Sequence, residues 1–145
     1  MERVVGLDVG DVRIGVAVSD PMCIIAQAHS VIQCSTPDND IGAVCALVEE
    51  TEAARIVVGL PLDQNGEVGP QAEKVLAFAA RLREAVGREV VTQDERFTTV
   101  SAERMLIAAN VRRKGRKKVI DKVAAQQILQ TYLDREANKR RRARE

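Results

Sequence analysis

The stretch RVVGLDVGDVRIGVAVS, residues 3–19, decides the architecture. Two runs rich in Val, Ile and Ala, residues 3–9 and 12–19, flank Gly10-Asp11, a turn signal, and so predict a β-hairpin. Strand alternation puts Val5, Leu7 and Val9 on one face and Val4, Gly6 and Asp8 on the other. Asp8 is then a carboxylate inside an apolar strand. Desolvating it is costly unless a cation, or the turn amides around Gly10, compensates.

Outward from the hairpin, a third strand is expected within residues 24–33, joined by a short turn. The Asp38-Asn39-Asp40 cluster can cap a helix running to about Glu52. IVVGL (56–60) reads as a core strand ending at Pro61, and Gln64-Asn65-Gly66 as a loop. Pro70 opens a helix with apolar positions Ala72, Val75, Leu76, Ala79, Leu82 and Val86, and Gly87 caps its end. Residues 89–93 form a further strand, and Thr98 or Thr99 caps a helix to Asn110. A basic loop, 111–118, leads to a final helix over about 119–137, and 139–145 is expected to be a disordered basic tail. The order β-β-β-α-β-α-β-α-α implies an α/β fold: a mixed five-stranded sheet, its first three strands antiparallel, flanked by helices. Residues 1–138 form one domain.

The 145 residues are 46% hydrophobic and 30% charged, which excludes a disordered chain and fits a globular one with a substantial core. No uncharged run is apolar enough to span a bilayer, and the first residues lack a secretory pattern. A cytoplasmic protein with no membrane partner is expected. Cys23, Cys34 and Cys45 are odd in number and lack a C-x-x-C pair, so they read as buried free thiols. The single histidine, His29, has no partner cluster and reads as structural. A homodimer is compatible with the sequence, although no feature demands one.

The formal net charge of +1 conceals two opposed halves. Residues 1–110 carry 9 basic and 17 acidic side chains, and residues 111–145 carry 13 and 4. Arg112, Arg113, Lys114, Arg116, Lys117 and Lys118, followed by Lys122, are either a solvated surface or a contact for a polyanion. Aromatic residues are 2% of the chain, too few for a base-stacking platform, which favours backbone-led recognition of duplex or structured RNA.

Three acidic features stand where apolar residues are expected. Asp8 is one. Asp94-Glu95-Arg96 directly follows a short strand, where α/β sheets often place chemistry, although such a triplet also makes an ordinary surface turn. Asp121 shares a helical face with Ala124, Ala125, Ile128 and Tyr132, although an acid near a helix start also suits the macrodipole. These positions can converge at one end of the sheet. Clustered carboxylates repel unless a divalent cation neutralises them, and oxygen ligands suit Mg2+ or Mn2+. One or two such ions can drive phosphodiester hydrolysis.

Four blocks, GLDVGDVRIGVA (6–17), VVGLPL (57–62), DERFTT (94–99) and DKVAAQQILQTYL (121–133), resemble the YqgF/RuvX family. The resemblance covers about residues 3–134, with the blocks in family order and at family-like spacing. Members are described as nucleases of pre-16S ribosomal RNA and, earlier, as predicted Holliday junction resolvases. The resemblance implies an RNase H-like fold and a metal-dependent nuclease acting in 16S rRNA precursor 5'-end processing, with precursor rRNA as partner. By motif, Asp8, Glu95 and Asp121 take the catalytic and metal-ligand positions, with Asp94 a further candidate. Arg13, Arg96, Thr98 and Thr99 fall in the family's site blocks, where they contact phosphate or orient carboxylates. Asp11 stands where the family often has Thr, and Phe97 where it often has Leu. Related resolvases commonly use four acids and only three are clear here, which weakens the junction-resolving reading more than the nuclease one. Two other readings compete: a non-catalytic RNA-binding assembly factor, and an ATPase of the sugar-kinase or actin type, whose first phosphate loop DVGDVRIG resembles. The latter needs two lobes, and 145 residues supply one.

Overall fold

A computed structural model of the chain describes residues 2–95 and 113–144, with side chains of the second stretch from 122 onward. Strands β1 (Val4–Val9), β2 (Arg13–Ser19) and β3 (Ala26–Gln33) form an antiparallel meander. Helix α1 (Pro37–Thr51) leads to β4 (Arg55–Leu60), and α2 (Pro70–Val86) leads to β5 (Glu89–Asp94). Helix α3 spans Arg113–Arg144. The five strands lie in the order β3-β2-β1-β4-β5, with β1–β4 and β4–β5 parallel. This is the mixed sheet the sequence predicts.

Alternation along β1 divides the interior. Val5 and Leu7 face α1 and α2 in one core with Val44, Val48, Val75, Leu82, Ile56 and Val58. Val4 faces the second core, where α3 contributes Ala125, Ile128, Leu129 and Tyr132. Each fully buried aliphatic side chain supplies about 1.5–3 kcal/mol. Gly6 permits the close seat of α3, because a Cβ there would lie 2.7 Å from Leu129 Cβ and 3.3 Å from the Ala125 carbonyl oxygen. Two glutamines fix the helix lengthwise. Ala26 N–H donates to Gln130 Oε1 (2.8 Å), while Gln130 and Gln126 side-chain amides donate to the Ile24 and Ala26 carbonyls (2.9 and 3.1 Å). Arg55 donates to the Tyr132 hydroxyl and to Glu89.

Several expectations are corrected. The cap of α1 is Thr36, whose hydroxyl accepts from Asn39 N–H at 3.1 Å, and Pro37 takes the first helical position. The Asp38-Asn39-Asp40 cluster therefore lies inside the first turn. Leu76 follows the apolar spacing of α2 but is exposed, because α2 packs through a narrower stripe. Residues 113–118 are helical rather than a loop. The helix also continues to Arg144 through the segment expected to be a tail. No Gly or Pro interrupts 116–144, and the packed middle of α3 supplies a nucleus from which both ends extend. The three cysteines are free but only half-buried. Gly87 has φ 65°, the left-handed cap expected of it.

Candidate active site

The C-terminal ends of β1, β4 and β5 border a cleft of about 290 Å3 lined by Asp8, Gly10, Asp11, Pro61, Gln71 and Glu95, together with Val9. Asp8 and Glu95, 87 positions apart, thus meet in one cavity, and both are half-buried. Two glycines make room for them. Asp8 pairs across the hairpin with Gly15. The β1–β4 register ends at Leu7–Val58, so Gly59 is the next residue on the other side. A Cβ on Gly59 would stand 2.8 Å from Glu95 Oε1 and 2.5 Å from Ile128 Cδ1. The Glu95 carboxylate therefore leans over a bare stretch of β4 toward α3.

The hairpin turn is held by Gly10 N–H donating to the Arg13 carbonyl (2.9 Å). Asp11 lies on the cleft wall, and its carboxylate is 3.5 Å from Lys74 Nζ of α2. Gln71, in the first turn of α2, also lines the cleft, and no side chain caps that helix. The positive end of the α2 dipole thus borders the cavity.

The other candidate residues fall as follows. Arg13 opens β2 and is half-buried. Asp94 lines a different groove, between β5 and α3, so the structure separates it from Glu95. Asp121 is helical, eight residues past Arg113, the first residue of α3. A macrodipole role is thereby removed, since that effect fades after the first turn. Asp121 precedes Ala124 and Ala125, which pack on the sheet, by three and four positions. Its side chain lies outside the described residues, as do Arg96, Thr98, Thr99 and Arg112. Arg113, Lys114, Arg116, Lys117 and Lys118 occupy the first two turns of α3, and Lys122 is half-buried there. Among the described residues, no group of three or more metal-ligating side chains is assembled.

Two residues escaped the sequence reading. Gly59 shapes the seat of Glu95, and the G of VVGLPL was its signal. Gln93 pairs in register with Gly59 and is 5% exposed, and its Nε2 has no hydrogen-bond partner.

A family model described as "RuvX: Holliday junction resolvase" matches residues 2–135. A protein of Desulforamulus reducens named "Putative pre-16S rRNA nuclease" is 51% identical over 132 residues, 91% of this chain and 96% of that one. A protein of the same name in Streptococcus pneumoniae serotype 19F is 50% identical over 136 residues, 92% and 98% of the two chains. Thermus thermophilus RuvC, solved with a Holliday junction substrate, matches with TM-score 0.59 at 12% identity, covering 94% and 97%. The fowlpox virus resolvase in complex with Holliday junction DNA matches with TM-score 0.54 at 10% identity, covering 91% and 97%. At such identities the solved structures speak to the fold alone, and the fold is RNase H-like, as expected.

Proposed function

Because the chain belongs to the RuvX family, we propose that the cleft holding Asp8 and Glu95 is the active site of a metal-dependent nuclease that hydrolyses phosphodiester bonds in precursor 16S rRNA, at its 5' end. The observation that carries this reading is the meeting of Asp8 and Glu95, from opposite ends of the sheet sequence, in one cavity.

The donor set fits a hard divalent ion. Asp8 and Glu95 offer carboxylate oxygens only, and the bare backbone at Gly59 lets the Glu95 carboxylate lean over β4. Asp121, on the helix that crosses beside Glu95, is the third ligand in this proposal. When bound, Mg2+ or Mn2+ supplies Lewis acidity and a water of lowered pKa. Asp8 and Glu95 would hold that ion at the ends of β1 and β5. Arg13 and the amide end of α2 favour the negative charge of the scissile phosphate. The basic first turns of α3 hold neighbouring phosphates.

Asp8→Asn is expected to abolish cleavage of precursor rRNA while RNA binding survives. Wild-type protein should cut in Mn2+ and fall silent in EDTA. Cleavage by the variant at the wild-type rate overturns the assignment. Wild-type binding without any metal-dependent product would instead identify a non-catalytic assembly factor. The family model's description makes a four-way DNA junction the second substrate to test alongside RNA.

A further inference from the structure

We propose that the C-terminal end of α3, Lys139 to Arg144, is a second nucleic-acid contact that grips phosphates far from the cleft. This inference rests on the nuclease reading and extends it to the substrate's reach.

Helix α3 runs antiparallel to β1 and β4. Ile128 stands against Gly59, Leu129 against Gly6, and Tyr132 against Arg55 at the start of β4. Beyond Leu133 the helix passes the N-terminal ends of the strands, and residues 138–144 are all exposed. Five of the last six described residues are Lys139, Arg140, Arg141, Arg142 and Arg144. At about 100° per residue they surround the helix instead of marking one face. Between 134 and 144 there is no large apolar side chain. A membrane-surface helix needs an apolar face, and so does a helix that docks in a protein groove. A ring of cations lacking such a face is complementary to a polyanion.

A second groove runs to the end of the helix from the residue that precedes Glu95. The groove between β5 and α3, about 540 Å3, is lined from Asp94, the neighbour of Glu95, to Lys139. Within it Arg55, Arg135 and Lys139 are balanced by Glu89, Asp94 and Glu136, so it admits a strand without gripping it. The grip comes where the acids end. From Ile128 to Arg142 the helix rises about 21 Å. A strand with phosphates about 3.4 Å apart covers that span in roughly six nucleotides.

The test measures binding in EDTA, with the full chain and RNA duplexes of two lengths. The variant changes Arg140, Arg141, Arg142 and Arg144 together to Gln, which keeps helix propensity. On a long duplex, the slope of log K against log[salt] should become shallower by about 3. On a stem of about four base pairs closed by a short loop, too short to cover that span, the two proteins should bind alike. The corresponding fourfold Arg→Lys variant should keep the wild-type slope, which separates charge from folding. An unchanged slope on the long duplex overturns the proposal. So does an equal loss on both lengths. Loss of binding to phosphatidylserine vesicles with RNA binding intact also overturns it, in favour of a lipid surface. Because the readout is binding, a wild-type protein that never cuts would sink the nuclease reading alone.

Discussion

Gly59 governs how close the Glu95 carboxylate comes to α3. A methyl group at that position meets Glu95 Oε1 and Ile128 Cδ1 at once: the fully buried Ile128 yields only by moving a packed neighbour, and the Glu95 carboxylate is pushed into the cleft. Gly59→Ala should therefore cost about 1–3 kcal/mol in urea denaturation. It should also lower RNA cleavage by about 10–100-fold, since a small displacement of a reacting group has that order of effect. Gly42→Ala is the control. It sits within α1 with open space around its Cβ position, so it should stabilise by about 0.5–1 kcal/mol and leave cleavage unchanged. This contrast shows what was readable in advance. Asp8 and Glu95 are conspicuous as acids beside apolar strands, although each alone also suits an ordinary turn. Gly59 is not conspicuous, because its meaning depends on what packs opposite, and Ile128 is 69 positions away.

The hairpin was legible because its turn and its alternation are local. The cap of α1 was not, since Ser35, Thr36, Asp38, Asn39 and Asp40 are all acceptable capping types and only the register of Pro37 selects among them. Thr36→Ala should destabilise the protein by about 1 kcal/mol, measured by chemical denaturation, with cleavage unaffected. The first turns of α3 are illegible for a related reason. Gly115 and a run of like charges disfavour helix locally, yet the buried stretch from Ala124 to Leu133 commits the whole segment. The same anchoring carries the helix through Asn138 to Arg144. Propensity predicted where α3 is weakest, and tertiary packing decided where it ends.

The two cores on opposite faces of the sheet share a sensitivity to alkaline pH. In the core under α3, burial holds the Tyr132 hydroxyl above its ordinary value of 10.0, despite the donating Arg55. On the other face, burial raises the Cys45 and Cys34 thiols above 9.0. In each case the folded protein holds its proton more tightly than the unfolded chain. The associated stability is therefore complete below the ordinary value and is lost as pH rises beyond it. Thermal unfolding should show Tm falling above pH 9, and Tyr132→Phe should remove the part of the decline that begins above pH 10. Among the described residues one face of the sheet is roofed by α1 and α2, but the other by α3 alone. That roof is encoded after every strand. While the ribosome is still making this chain, the sheet can pair and its first face can close, but the second face stays bare. Whatever work is done on that second face must wait until the last helix settles.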